Sequence, residues 1–433
     1  MDNEKNNLSP IADYMKKFLA SDSSKLMEYC YASIRDASKN RFHRDQTDVL
    51  ADADFDALFP LVSSVILTAN KIECDSLNYI FSQQENGVLQ RRKHSLAIFN
   101  HSDFGAPEAY IFKLHSSFIL HLRAYETGAN TPGGSTDLVR YISRHPLLRP
   151  SSIISFGICY GRDLETQEIG DVIIPKKLYP WSIGQKISEE KFTIKHDNFN
   201  LWLEDKFSYS KIYSSLQAFC NGDDGRYVTD SLALCPMTQD TCVCDFSVKV
   251  NFGNMSTGEA VISSAKAKKL IQQSMLNEKE LGGEMEGYGL AKECIYYANI
   301  PCLIIKAICD WGEAKNIDRV LIRENISAPP NLKDKLQAYA AFCAGIVLVQ
   351  LLSSEREVLL SMGLVQRMSD KKRTNIVDED NYAEEETILR DIKRFYKVKP
   401  ATAYKVFDIL KRYQIIICDK KGTKYHVNPE VIK

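Results

Sequence analysis

The chain has 433 residues, 44% of them hydrophobic, and 55 Lys+Arg against 56 Asp+Glu, a formal net charge of -1. That length exceeds one ordinary core and predicts a large domain with one or two small ones. The balanced charge removes any whole-chain electrostatic case for nucleic acid or an anionic membrane, so such a case has to be local.

Residues Met1 to Asn7 are polar and lead into an amphipathic stretch, without the basic start and apolar run of a secretory signal, so a cytoplasmic location is expected. The longest apolar run, around Ala344 to Leu352, is about half of what a bilayer crossing needs; the expectation is a buried helix and no membrane partner. Of the twelve cysteines, Cys159, Cys294, Cys302, Cys309 and Cys343 lie in apolar runs and read as small buried hydrophobes. Cys235, Cys242 and Cys244 are irregularly spaced, with no paired CxxC and no nearby His, so no metal site is expected.

From Pro10 to about Pro60 the spacing is helical: Ile11, Tyr14, Met15, Phe18 and Leu19 recur at i, i+3, i+4, i+7 and i+8, continued by Leu26, Met27 and Cys30. We read residues 1–60 as a helical extension that packs on the main domain or on a partner. From Ser64 short β-branched runs alternate with helical stretches: Val65 to Leu67, Ser95 to Phe99, Ser152 to Phe156, Asp171 to Ile174, Val248 to Phe252 and Cys302 to Ile308. This alternation predicts an α/β fold in which a central twisted mixed sheet is flanked by helices, over residues 61–365. A broad apolar face carrying Leu332, Leu336, Tyr339, Phe342, Cys343, Ile346 and Val349 marks its last helix, from Asn331 to about Leu364.

Residues 366–382 read as a linker, because Met368 to Tyr382 is polar and charged. Residues 383–433 then give helix, helix, hairpin: Ile388, Leu389, Ile392 and Phe395; Ala403, Val406, Phe407 and Leu410; and Ile415 to Cys418 with Tyr425 to Val427 about a Lys421-Gly422 turn. That order suits a small winged-helix-like domain. Thr387 to Lys433 holds 12 Lys+Arg against 4 Asp+Glu, with Lys405, Lys411, Arg412, Lys420, Lys421 and Lys424 as candidate phosphate contacts. A DNA partner, or a protein docked through the same module, is the expectation there.

Three segments carry chemistry, each where a strand ends, the place where open α/β sheets hold ligands. They are VILTANKIECDSL with Glu73; SFGICYGRDLETQEIGDVIIP, where Gly157 and Gly161 bracket a predicted turn; and the pair GGEMEGYGLAKEC and IIKAICDWGEAKN. With Thr257-Gly258-Glu259-Ala260-Val261-Ile262 between them, these segments, in this order from about Ser64 to Leu352, resemble the nucleoside phosphorylase superfamily, particularly its methylthioadenosine/S-adenosylhomocysteine nucleosidase branch.

The resemblance implies cleavage of the N-glycosidic bond of a purine nucleoside or nucleotide, with adenine the expected base, no cofactor and a homo-oligomeric assembly. Bond departure builds oxocarbenium character on the sugar and negative charge on the base, so both ends need carboxylates. Asp310 matches the acid at purine N7; its alternative is a helix cap. Glu286 matches the residue that grips the ribose hydroxyls and Met285 the apolar residue under the sugar, the alternative for Glu286 being a first-turn acid. Glu73 matches the carboxylate that activates water, or is a helix-start acid. Val261 and Ile262 match base-pocket positions, or belong to the core.

The glycine turn would bring backbone N-H groups to an anion. Arg162 beside it binds phosphate, as inorganic phosphate in a phosphorylase or on a nucleotide, or else forms a surface salt bridge. Trp311 stacks on the base or packs. Cys309 replaces the serine usual before the family's aspartate. Beside hydrolysis stand a phosphate-dependent phosphorylase and a DNA-binding regulator that senses a ligand; the resemblance extends to superfamily members in bacterial stress or antiphage systems that destroy adenine nucleotides.

Overall fold

The structure is a computed structural model, and it describes residues 9–40, 48–50, 55, 58–82, 90–92, 108–114, 117–124, 128, 130, 133–150, 152–188, 191–196, 201–202, 226–228, 247–258, 260–262, 265–274, 279–312, 317–354, 383–396, 399–412, 416–419, 422 and 424–427. The strand read at Ser95 to Phe99, the linker at Met368 to Tyr382, and Cys235, Cys242 and Cys244 lie outside these residues.

The chain opens with α1 (Ser9–Leu19) and α2 (Asp22–Asn40). Both bury one face, with Ile11, Met15, Leu26, Met27 and Cys30 each no more than 2% exposed. The helical reading does not hold as far as Pro60. Asp48–Leu50 is a strand, β1, paired in parallel with β3 (Gln90–Arg92), and Phe59–Leu61 is a 3-10 turn. An available sheet edge takes the backbone groups of β1, and this outweighs weak local helical periodicity.

The centre of the body is made by β2 (Val62–Thr68), β6 (Ser152–Gly161) and β13 (Cys302–Asp310), which run parallel. β2 is buried at every position, and Ile153, Ile154, Phe156 and Ile304 are fully shielded, which explains why these strands read as continuous apolar runs. Each such side chain contributes about 1.5–3 kcal/mol relative to an exposed one. Helix α3 (Lys71–Ser82) follows β2, and the antiparallel pair β4 (Glu108–Leu114) and β5 (Ser117–Arg123) extends the sheet beyond it. Helix α4 (Ser135–Arg144) precedes β6.

Beyond β6 the sheet closes on itself. β7 (Val172–Ser188), β11 (Ser247–Thr257) and β12 (Glu280–Glu284) complete a ring in which β6 pairs with β12, β12 with β11, β11 with β7, β7 with β13, and β13 with β6. Together with β8 (Lys191–His196), β9 (Leu201–Trp202) and β10 (Arg226–Val228), thirteen described strands form one mixed sheet. Helix α5 (Ala265–Ser274) lies between β11 and β12; α6 (Gly287–Lys292) follows β12, and α7 (Ile317–Arg323) follows β13.

Helix α8 (Leu332–Ser354) packs on β13, β6, α3 and α2. Its approach to α3 is close: a Cβ on Gly345 would lie 2.2 Å from Ile80 Cδ1. Leu332–Leu352 has the length and apolar character of a bilayer crossing, yet 89% of its most apolar stretch is buried in the fold. The remainder of the helix read to Leu364 lies outside the described residues.

At the C-terminus, β14 (Ala383–Glu384), α9 (Glu385–Tyr396), α10 (Pro400–Arg412), β15 (Ile416–Cys418) and β16 (Lys424–Val427) follow in order, the strands forming an antiparallel sheet ordered β14-β16-β15. Ile388, Ile392, Ala403, Phe407, Leu410 and Ile416 fill its core.

One buried histidine ties β5 to its neighbours. His121 accepts from the Thr68 hydroxyl at 2.9 Å and donates to Asn78 Oδ1 at 2.8 Å. Burial, helped by Arg123, pulls its pKa down to about 3 from 6.5. The unfolded chain therefore takes up a proton that the native state refuses, and stability falls as pH drops below 6.5. In urea melts, the stability advantage of wild type over His121→Gln should shrink by about 1.4 kcal/mol per pH unit between pH 6.5 and 4.5. A constant difference would mean that the ring accepts a proton in place.

Candidate active site

The C-terminal ends of β2, β6, β12 and β13 and the first turns of α3 and α8 surround a cavity of about 460 Å³. Its wall includes Glu73, Trp181, Val261, Ile262, Glu284, Met285, Glu286 and Asp310. Six of the residues singled out in the sequence, Glu73, Val261, Ile262, Met285, Glu286 and Asp310, thus meet in one place although 237 positions separate the first from the last. The volume suits a nucleoside-sized ligand.

Glu73 is 2% exposed in the first turn of α3. Its Oε2 accepts the N-H groups of Ala69 (2.8 Å) and Asn70 (3.1 Å), and its Oε1 accepts that of Ile158 (3.0 Å). It therefore does cap its own helix, and it faces the cavity as well. The stretch from Gly157 to Gly161 corrects the expectation of a turn. It is the end of β6, laddered to β13 with Gly157 opposite Lys306 and Tyr160 opposite Asp310.

The anion that this strand meets is the protein's own: a Cβ on Gly157 would lie 2.2 Å from Glu73 Oε1, so the carboxylate reaches Ile158 only because residue 157 is glycine. Gly161 has a packing role and does not line the cavity, since a Cβ there would fall 2.7 Å from Trp311.

Glu286, 7% exposed, accepts the Gly128 N-H at 3.1 Å and an ion-pair hydrogen bond from Lys306 at 3.1 Å. Two residues earlier, Glu284 Oε2 takes the N-H groups of Glu286 (2.8 Å) and Gly287 (2.7 Å), which fixes the start of α6 and turns Met285 and Glu286 inward. Asp310 Oδ1 accepts the Gly312 N-H at 2.7 Å, a bond that holds the carboxyl group as the chain turns away from β13. That local turn accounts for part of its geometry, and the side chain still lines the cavity.

Lys306, which the sequence reading passed over within IIKAICD, stands at the centre of this arrangement. Its side chain is 1% exposed, 3.1 Å from Glu286 and 3.9 Å from Glu284. Burial by itself would strip its proton, but the charges of Glu286, Glu73 and Glu284 outweigh that and hold it firmly cationic. In return the ammonium offsets part of the cost of burying the carboxylates. Burial raises the pKa of Glu73, with Lys306 opposing and Glu286 adding to the rise. Glu284 is raised by burial in the same way. A lysine inside an apolar strand run looks like an interruption; only the fold shows three carboxylates around it.

Trp311 and Arg162 lie elsewhere. Trp311 is 3% exposed and packs edge-on against Tyr14, with ring centroids 5.4 Å apart at 82°. Of the two roles open to it, this placement is the packing one, outside the wall of the large cavity. Trp181, on β7, supplies an indole to the cavity; a Cβ on Gly258 would lie 2.3 Å from it. The Arg162 guanidinium reaches the Glu280 carbonyl at 3.3 Å, at the seam of β6 and β12 and away from the cavity wall. Val261 is 54% exposed at the cavity rim, whereas Ile262 is 5% exposed and packs with Trp181. Lys333 and Gln337 of α8 complete the wall near Asp310.

No family model matches the chain, and no curated protein matches it. Among solved structures it is similar to the 5'-methylthioadenosine/S-adenosylhomocysteine nucleosidase of Neisseria meningitidis, at 13% identity over 68% of this chain and 100% of that one (TM-score 0.45). It is similar also to the corresponding nucleosidase of S. pneumoniae (16% identity, 68% and 99% covered, TM-score 0.44). A third is the futalosine hydrolase of Helicobacter pylori (11% identity, 68% and 98% covered, TM-score 0.45). The likeness is one of fold.

Removing the ammonium should expose how much depends on it. Lys306→Met leaves buried carboxylates without their cation and is expected to destabilise the protein by about 3–5 kcal/mol at pH 7.5. Because the carboxyls then bind protons more tightly in the native than in the unfolded state, part of that loss should return as pH falls from 7.5 toward 5. Denaturant midpoints at the two pH values test this; a loss that does not change with pH would place the charge balance elsewhere.

Proposed function

We propose that the chain hydrolyses the N-glycosidic bond of a purine nucleoside or nucleotide, with adenine the expected base. The observation that carries this reading is the convergence of Glu73, Glu286 and Asp310 on one cavity, with Met285 and Trp181 in the same wall. Glu286, fixed between Gly128 and Lys306, grips the sugar hydroxyls; Met285 lies under the ring; Trp181 faces the base.

Water held by Glu73 adds at C1', its proton passing to the Glu73 carboxylate. The C1'–N9 bond breaks with its electron pair going to the purine, and Asp310 gives its proton to N7, so the base departs neutral. The depth of Glu73 and its three backbone N-H donors hold the carboxylate in place while the sugar carries positive charge. The position of Arg162, turned to the Glu280 carbonyl and away from the cavity, supports water over inorganic phosphate as the nucleophile.

Chromatographic detection of free base from adenosine, AMP, ATP and their guanine counterparts, with and without phosphate, tests the reading. Base release should need no phosphate, and Asp310→Asn should lower it by about 10²- to 10⁴-fold. Strict dependence on phosphate would make the enzyme a phosphorylase, and release undiminished in Asp310→Asn would remove the assigned acid.

The C-terminal strand, helix pair and hairpin support a second assignment: a winged-helix-like unit that contacts DNA. Lys411 lies 5.4 Å above the rings of both Phe407 and Tyr425, a fixed cation on its surface, and Lys424 opens the last strand. Lys420 and Lys421, and the side chains of Lys405 and Arg412, lie outside the described residues. The full chain should bind duplex DNA with an affinity that falls steeply with salt, and Lys411→Glu with Lys424→Glu should weaken it on all sequences alike. No binding at low salt would reassign the unit to protein docking.

A further inference from the structure

We propose that the N-terminal helix α1 belongs to the catalytic apparatus, with Tyr14 as a positioning residue that sets Asp310 through Trp311; this rests on Asp310 being the acid. Three contacts made by α1 converge on the end of β13. The Tyr14 ring meets the Trp311 indole edge-on at 5.4 Å and 82°, and Trp311 is the residue directly after Asp310. The Tyr14 hydroxyl accepts the Ile169 N-H at 2.9 Å.

The segment that begins at Ile169 is itself stitched to β13. Gly170 donates to the Ile308 carbonyl at 2.9 Å, and Ile308 donates to the Asp171 carbonyl at 2.9 Å. One phenol therefore holds both the indole after the acid and the strap that anchors the strand before it. Third, Ile11 and Met15, on the same face of α1, line a small cavity of about 20 Å³ together with Cys309, Asp310 and Trp311. The wall between that cavity and the large one is shared: Cys309, Asp310, Lys333 and Gln337 line both.

The brace extends to α8 in the same shared wall. Lys335 of α8 pairs with Glu28 of α2 at 2.6 Å, and Phe18 packs edge-on against Tyr339 at 6.1 Å, so the helix that presents Lys333 and Gln337 is held by the same extension. Burial raises the Tyr14 pKa far above its usual value, and the phenol remains a neutral partner across the working range. Locally the Asp310 carboxyl group is held by the Gly312 N-H on Oδ1 at 2.7 Å and by the weak Cys309 thiol donor on Oδ2 at 3.6 Å. Lys268 holds the Trp311 carbonyl at 3.0 Å, so losing the Tyr14 contact leaves the backbone anchored but takes the edge-on support from the indole, and the carboxyl next to it can shift. Misplacement of a reacting group by about 1 Å can cost about 10²-fold in rate without altering binding.

The test compares the full-length wild type with Tyr14→Leu, Tyr14→Phe and Leu26→Ala, the last a core truncation in α2 that leaves β13 untouched. With tryptophans replaced by 5-fluorotryptophan, and the Trp311 resonance assigned by Trp311→Phe, Tyr14→Leu should shift and broaden that fluorine signal while Leu26→Ala leaves it in place. In base release, Tyr14→Leu should lose about 10- to 100-fold in kcat with KM within about 3-fold of wild type. Tyr14→Phe, which keeps the ring and loses the Ile169 bond, should fall between, and Leu26→Ala should lower only the melting temperature.

An unmoved Trp311 resonance in Tyr14→Leu, or a kcat loss equally large in Leu26→Ala, overturns the proposal. Absence of base release from wild type would instead fail the hydrolase assignment. The fluorine signal would still decide whether α1 sets the Asp310 segment.

Discussion

The arrangement depends on one buried cation. Lys306 sits on the central strand β13 with its ammonium among Glu73, Glu284 and Glu286, which come from two other segments of the chain. Burial pushes both Glu73 and Glu284 toward the neutral form, and the charge of Lys306 opposes that push at each. The lysine in turn would be driven to lose its proton without them. The four groups are therefore interdependent, and the position of the cation fixes where α3, β12 and β13 may end relative to one another. A buried ion cluster of this kind is a poor way to gain stability, and its value lies in orientation.

Closure of the sheet supplies the frame that the cluster needs. Because β6 pairs with both β12 and β13, and these reconnect through β11 and β7, the strand ends bearing Glu284, Met285, Glu286 and Asp310 are held at fixed separations. Glycines permit the close approaches within this ring. At Gly157 the carboxylate of Glu73 occupies the space a side chain would take, and at Gly283 a Cβ would lie 2.4 Å from the Tyr160 hydroxyl. That hydroxyl is itself tied to Ser256 at 2.8 Å and to Glu280 at 3.0 Å, so the floor of the cavity is hydrogen-bonded to the neighbouring strands.

Residues assigned to the proposed chemistry were legible where that chemistry demands a residue type in a local motif. Glu73, Met285, Glu286 and Asp310 each follow a strand in a short recognisable segment, and the structure gathers all four. Errors came where local pattern competes with long-range pairing. Gly157 to Gly161 has the composition of a turn, yet its backbone groups find partners on β13 and β12 and remain strand. Arg162 and Trp311 stand next to motif residues in sequence. The pleat and the turn after β13 direct them to the β6–β12 seam and to α1 instead.

The amino-acid sequence by itself determined the alternation of buried strands and helices, the residue types that can serve an N-glycosidic cleavage and the order in which they occur, because apolar periodicity and acid chemistry are local properties of the chain. The tertiary structure alone decided that Lys306 stands among three carboxylates, that Trp181 and not Trp311 faces the cavity, and that α1 reaches the strand bearing Asp310. Each of these is a contact between segments far apart in sequence. Their energies depend on burial and distance, and neither exists until the sheet has closed.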